Sequence, residues 1–381
     1  MKIGILTQPL HSNYGGLLQN YALQQILISE GHNVETIDWD EPRTIKSMLS
    51  RIKWMLIYKI FPSKCLLPNY QPNKKEKSII WQKTNYFINK YINHTDAVRS
   101  YKGFSRIAKH GTYDVFIVGS DQCWRPCYNT FIYSMFLSFL KDKNVKRISY
   151  AASFGTDKWE FTAYQTAICA PLAKQFDLIT VREDSGIKLC KENLGVSAIQ
   201  VLDPTMLLLK EDYIKLIKSE KESSRRGSLF NYILDPDAIK TSFIQWFAET
   251  YKLESFQVLP KYQAETLTKN NVKNHMEDCI FPGVTTWLRA FMDAEITIVD
   301  SFHGMVFSII FNKPFWVIGN TNRGMSRFTS LLKLFQLESR LIYVDNLYET
   351  DFSQTINWEK VNSILAEKRE ECKSLLLNQL K

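Results

Sequence analysis

At 381 residues, with 45% apolar and 23% charged side chains, the chain has a soluble globular composition and is too long for one ordinary core, so two domains are expected. It has no run of about 18 apolar residues, which excludes a membrane-spanning helix. It also has no leader-like start, and its seven scattered cysteines read as reduced thiols, so a cytoplasmic location is expected. The net charge of +9 is concentrated, with 15 Lys or Arg between Arg43 and Lys109 against only Glu76 and Asp96.

Lys2 to Thr7 reads as a strand, and Leu17 to Leu27 as an amphipathic helix entered through His11-Ser12-Asn13-Tyr14-Gly15-Gly16. Val34 to Asp38 follows as a second strand, which makes a βαβ unit. Gly15 and Gly16 let a ligand approach the backbone closely, because they lack a Cβ. The spacing is not G-x-G-x-x-G, so a nicotinamide cofactor is not indicated. A tight turn that merely needs glycine is the competing reading.

Within a basic helical insertion over about 43–110, Met48, Ile52, Met55, Leu56 and Ile60 share one helical face in Arg43–Lys64. Lys46, Arg51, Lys53 and Lys59 decorate that helix, with Trp54 and Tyr58 interleaved. Such a helix can lie on an anionic membrane surface or dock as an ordinary surface helix, and both readings stay open. No nucleic-acid-binding motif accompanies the charge, so no nucleic acid partner is expected.

Strands are then predicted at Tyr113–Val118, Arg147–Ala152, Leu178–Val181 and Ile199–Leu202, each ending in a small or polar cluster. That pattern suits a parallel sheet whose carboxyl edge lines a crevice. Asp203-Pro204 is a candidate hinge, placing an N-terminal Rossmann-like domain at 1–205 and a C-terminal one at 206–381. The second half repeats the alternation: helix Glu211–Lys221, strand Ser228–Leu234, helix Ala238–Tyr251, strand Glu254–Leu259, and a polar loop over the crevice at Lys261–Ile280. A helix at Val284–Met292 leads to strand Ala294–Val299, then Asp300-Ser301-Phe302-His303-Gly304, a short helix and strand Pro314–Ile318. The last helix, Trp358 to Gln379, is expected to pack back on the first domain. The fold class expected is α/β, two Rossmann-like domains facing a central cleft.

The polar residues at predicted strand ends are Asn13, Ser120, Asp121, Arg182, Ser301, His303, Arg323 and Arg327. Arginines, a histidine and a carboxylate around one cleft suit a small anionic substrate. Structural readings compete with this: Asp121 as a turn cap, Arg182 paired with Glu183 or Asp184, and solvated loop arginines. The histidine spacings do not make a metal site, and no metal is expected.

The motifs together resemble the polysaccharide pyruvyl transferase family. The resemblance rests on Asn13 to Leu23, Val118 to Gln122, Ile148 to Gly155, Val181 to Gly186, Leu202 to Thr205, Asp300 to Gly304 and Arg323 to Arg327, in matching order. It implies a GT-B-like fold, and transfer of the enolpyruvyl group of phosphoenolpyruvate onto a sugar to form a pyruvate ketal in bacterial surface polysaccharide. It implies no cofactor beyond that donor and an acceptor that is often lipid-linked, so a peripheral position at the inner face of the plasma membrane is a further expectation. The family's histidine corresponds to His303 and its strand-end arginine to Arg182; with Asp121 as a proton acceptor these form the expected catalytic set. Asn13, Tyr14, Gly15, Gly16, Gln19, Ser120, Ser301, Gly304, Arg323, Ser326 and Arg327 form the expected substrate-binding set. Many members carry arginine where Ser301 stands, so Arg323 or Arg327 is expected to supply the missing charge. A nucleotide-sugar glycosyltransferase and a non-catalytic carbohydrate-binding protein are the alternatives.

Overall fold

The structure is a computed structural model that describes residues 1–40, 70–140, 144–224, 227–263, 266–319 and 324–381. The basic helix expected at Arg43–Lys64 and the side chain of Arg323 lie outside the described residues.

The first domain holds strands β1 (Lys2–Leu6), β2 (Asn33–Thr36), β3 (Val115–Val118), β4 (Lys146–Ala152), β5 (Leu178–Val181) and β6 (Ile199–Gln200). They form one parallel sheet in the order β2-β1-β3-β4-β5-β6. Its helices are α1 (Tyr14–Ser29), α2 (Lys74–Ile80), α3 (Gln82–Tyr91), α4 (Tyr101–Gly111), α5 (Ala163–Ala173) and α6 (Asp184–Leu189). The four residues of β3, Val-Phe-Ile-Val, are all buried, as expected for a strand covered on both faces.

In the second domain, helices α7 (Lys210–Ser219), α8 (Ala238–Tyr251), α9 (Lys269–Asn274), α10 (Val284–Asp293), α11 (Phe302–Ile310), α12 (Ser326–Phe335) and α13 (Trp358–Asn378) surround a second sheet. Its strands are β7 (Leu229–Tyr232), β8 (Ser255–Phe256), β9 (Ile296–Val299), β10 (Phe315–Ile318) and β11 (Leu341–Ile342), in the order β8-β7-β9-β10-β11. Numbered from its own first strand, this is the 2-1-3-4-5 order that also runs through the first sheet. Each sheet therefore has a topological switch point, between β1 and β3 and between β7 and β9, where consecutive connections leave in opposite directions and open a crevice.

Two predicted features differ. Lys261–Ile280 is not an open loop. It folds into α9 and a 3-10 turn, Glu277–Cys279, and Val272 and Cys279 pack on Ile80 of α2. Strand β11, two residues long, is not among the predicted strands.

One apolar cluster joins the two domains. It contains Leu17 and Leu23 of α1, Trp287 and Phe291 of α10, Met305 and Phe307 of α11, and Leu365 and Leu376 of α13. Helix α1, expected to be amphipathic, is buried on nearly all sides because both domains cover it, and its Gln19, Asn20 and Gln24 are buried with the apolar residues. The Tyr14 hydroxyl donates to Pro282 O at 2.9 Å, and its ring stacks on Trp287 with centroids 5.6 Å apart. Helix α13 returns to the first domain: Leu202 N donates to Cys372 Sγ at 3.4 Å, and Lys146 Nζ donates to Gln379 O at 2.7 Å.

Candidate active site

In the first sheet Leu6 pairs with Val118, so the turns after β1 and β3 lie side by side. In the second, Tyr232 pairs with Val299, aligning the ends of β7 and β9. Asp300 fixes that second pair. Its carboxylate accepts from Leu234 N at 2.7 Å and Asp235 N at 3.1 Å, and it pairs with Lys240 at 3.0 Å. The two switch points face each other across a cleft of about 390 Å³, lined by Gln8, His11, Asn13, Gly15, Asp121, Gln122 and Tyr128 on one side. Tyr232, Leu234, Ser301, Phe302, His303 and Arg327 line the other.

Two helices begin at this cleft. Asn13 caps α1, its side chain accepting from Gly16 N at 3.2 Å, and Ser301 caps α11, its hydroxyl accepting from Gly304 N at 3.0 Å. Helix N-termini present free amide donors and a partial positive charge, which favours an anion between them. Gly15 makes their approach possible: a Cβ there would lie 2.0 Å from His303 Nδ1.

Beneath the cleft is a charged cluster. Arg182 follows β5 and Asp203 follows the neighbouring β6, so the strand order itself places them together. Arg182 donates through Nη1 to Asp203 at 2.9 Å, and its Nη2 lies 3.5 Å from Asp121 Oδ1. Asp203 Oδ2 also accepts from the Ser120 hydroxyl at 3.0 Å and stands 3.5 Å from His303 Nε2. The Arg182 guanidinium lies 4.2 Å from the centroid of the Phe302 ring. Burial would raise the carboxyl of Asp203, but His303 and Arg182 outweigh it and hold the group well below the usual carboxylate range. Asp121 shows the same balance, with Arg182, His303 and Arg327 overcoming burial. Asp121 has φ of 66°, in the left-handed region, and Asn13 Nδ2 donates to its carboxylate at 3.2 Å. Arg327, the second residue of α12, is 5% exposed, and burial with the charge of Arg182 brings its pKa down to about 10.

The expected site residues thus divide by depth. Asn13, Gly15, Asp121, Ser301, His303 and Arg327 reach the cleft. Arg182 does not line it; it sits below, paired with Asp203 and Asp121 rather than with Glu183 or Asp184. Gln19 is fully buried and ties Thr7 and the Gly16 carbonyl to the Ser120 amide. Tyr14, Gly16, Ser120 and Gly304 are likewise covered, and Ser326 is not among the lining residues. Glu183 organises a different turn, accepting from the Ser153 hydroxyl and from the Phe154 and Gly155 amides.

Asp203, read in the sequence as a hinge residue, is the central carboxylate of the cluster. His11, Gln8, Gln122, Tyr128 and Tyr232 are not among the expected site residues; the position of Gln8 and His11 after β1, and of Gln122 after β3, is the sequence signal for them. Among the described residues no group of three or more His, Cys, Asp or Glu is arranged to hold a metal ion, and no helix is long and apolar enough to cross a membrane.

A family model described as polysaccharide pyruvyl transferase matches residues 13–322. Among solved structures the chain is similar to UDP-GlcNAc 2-epimerase from Neisseria meningitidis bound to UDP-GlcNAc, with 13% identity and a TM-score of 0.51 over 100% of this chain and 99% of that one. It is also similar to UDP-GlcNAc 2-epimerase from Methanocaldococcus jannaschii in complex with UDP-GlcNAc and UDP, with 10% identity and a TM-score of 0.50 over 100% and 99%. At such identities the likeness is one of fold, and that fold is GT-B. A curated relative, WD repeat-containing protein pop2 of Schizosaccharomyces pombe, is 30% identical over 104 residues, which is 27% of this chain and 14% of the relative's length.

Proposed function

Because the chain belongs to the polysaccharide pyruvyl transferase family, we propose that it transfers the enolpyruvyl group of phosphoenolpyruvate to a sugar, forming a cyclic pyruvate ketal and releasing phosphate. The observation that carries this reading is the meeting of two capped helix N-termini, Arg327 and His303 over a buried Arg182–Asp203–Asp121 cluster. A small phosphorylated carboxylate suits the amide ends and the guanidinium, and a carbon–carbon double bond that must gain a proton suits an imidazole backed by a carboxylate.

In this mechanism Arg327 and the helix amides hold the donor's phosphate and carboxylate. His303 gives a proton to the methylene carbon, which becomes the methyl group, and C2 becomes electrophilic. One sugar hydroxyl adds to C2 and loses its proton to Asp121. The C2–O bond to phosphate then breaks, and a second hydroxyl closes the ketal and loses its proton to the departing phosphate. Two hydroxyl protons leave, one proton enters at carbon, and phosphate departs with the electron pair of the broken bond. Arg182 is a positioning residue in this scheme, holding Asp203 under His303 and Asp121 at the cleft floor. Asp203, 3.5 Å from His303 Nε2, orients the ring toward the donor. The acceptor is a surface-polysaccharide sugar, carried on a lipid at the inner face of the membrane, and the Ser301 hydroxyl serves as a helix cap where many family members place arginine.

Wild-type protein incubated with phosphoenolpyruvate and a panel of sugars should release phosphate and yield a pyruvate-ketal product by mass spectrometry. His303→Ala should lower phosphate release at least about 100-fold while leaving the melting temperature near wild type. Near-wild-type release by that variant would overturn the assignment, and turnover of a uridine-diphosphate sugar without phosphoenolpyruvate would favour glycosyl transfer.

A further inference from the structure

The turn between β1 and α1 carries a second cleft histidine, His11. Leu10 N donates to Asp38 Oδ1 at 3.1 Å, and Gln8 Nε2 donates to Gln122 O at 2.9 Å, so the turn is fixed on both sides of the switch point. The His11 ring stacks on Trp81, with centroids 5.8 Å apart and planes 30° from parallel. Its Nδ1 accepts from the Ser12 amide at 2.7 Å. A ring nitrogen that accepts an amide hydrogen carries no proton of its own, so in a neutral ring the proton sits on Nε2.

From this geometry, and resting on the reaction above, we propose that His11 is held as the Nε2–H tautomer to donate a hydrogen bond to a hydroxyl oxygen of the acceptor sugar. It is a binding group, not the acid or base of the reaction. The position fits this division. Gln8, Asn13, Gln122 and Tyr128 are neutral and polar and line the same wall, whereas His303 and Arg327 face them from the second domain. Asp121 lies on the His11 side, so a sugar hydroxyl there meets a donor at one oxygen and a carboxylate at the next. The surroundings keep the ring neutral: burial and Lys77 of α2 lower its pKa, against the weaker opposite pull of Asp40 and Asp121.

Two measurements on the full chain test this. Long-range proton–nitrogen correlation spectra, with His11 assigned by its loss in H11Q, should show protonated Nε2 and bare Nδ1 at pH 7. An Nδ1–H ring or a cation would overturn the proposal. Steady-state kinetics with phosphoenolpyruvate and methyl glycosides of glucose, galactose, mannose and N-acetylglucosamine should show the glycoside KM raised about five- to tenfold in H11F, the size of one neutral hydrogen bond. H11Q, whose amide N–H also donates, should recover part of that loss. The phosphoenolpyruvate KM and the limbs of the pH profile should stay unchanged. A lost limb in H11Q, or a rise confined to the phosphoenolpyruvate KM, would refute the role. If wild type turns over none of these glycosides with phosphoenolpyruvate, the transferase reading fails on its own. The tautomer, and a His11 nitrogen shift on adding the glycosides, then decide the histidine separately.

Discussion

Asp203 concentrates more interactions than its neighbours: Arg182, Ser120 and His303 converge on one carboxylate oxygen, while Thr205 holds the other. Its side chain is fully buried and that of Arg182 is 1% exposed, so removing one charge strands the other. Asp203→Asn should therefore cost on the order of 3 kcal/mol in denaturant unfolding at pH 7. The folded-state pKa of Asp203 is lowered, so its contribution is complete above the unfolded value of about 4 and fades only as pH falls below it. The stability gap between wild type and Asp203→Asn should accordingly persist from pH 7 to about 4 and narrow in stronger acid; a gap that opens on acidification would contradict the lowered pKa. Gly15 supplies the second residue-scale prediction. A methyl group 2.0 Å from His303 Nδ1 has no room, so Gly15→Ala must displace the ring. Turnover should fall on the order of 100-fold, since a shift near 1 Å at a reacting group has that effect. Phosphate-release assays beside a normal circular dichroism spectrum check it. The strand-end positions of His303, Arg182 and Asp121 were legible in the sequence, because a polar residue after a buried run marks the sheet edge. Asp203 was not, because an Asp-Pro pair signals a turn whichever residue lies beside it in space.

At the scale of elements, the two capped helices and the turns that meet them decide the shape of the site. Asn13 and Ser301 are ordinary helix caps in sequence terms, and both helices could be read from apolar spacing. That their first turns come so close that position 15 must be glycine could not be read, since nothing local encodes the distance between two sheets. A further meeting of turns occurs beside the cleft. Gly324 has φ of 86°, and a Cβ there would lie 1.6 Å from Gly155 O, so a turn of the second domain rests on a turn of the first. The Gly155 turn is in turn held by Glu183. Gly324→Ala should lower stability by about 1–3 kcal/mol through strain and the lost approach. Thermal melts would show it, and an unchanged melting temperature would mean that the two turns do not bear on each other. The segment before α10 shows how tertiary packing overrides a local reading: polar and loop-like in sequence, it becomes helical where Val272 and Cys279 find Ile80.

Across the whole molecule, a shared apolar layer of α1, α10, α11 and α13 fixes the two sheets with their carboxyl edges opposed. The cleft volume of about 390 Å³ lies within the usual range for a small-molecule site. A layer this continuous makes the site a product of both domains, and the carboxylates of one domain neutralise charge brought by the other. Alternation of short β-branched runs with amphipathic helices was enough to determine an α/β chain of two Rossmann-like units and to mark which residues end the strands, because period and strand-end chemistry are local consequences of backbone geometry. Only the tertiary structure decided which strand ends are neighbours, that Arg182 lies under the cleft rather than in it, and that Asp203 and His11 belong to the site. The reason is physical: strand order and domain facing are set by burial of apolar faces far apart in the chain, and those long-range contacts choose the partner of every charge.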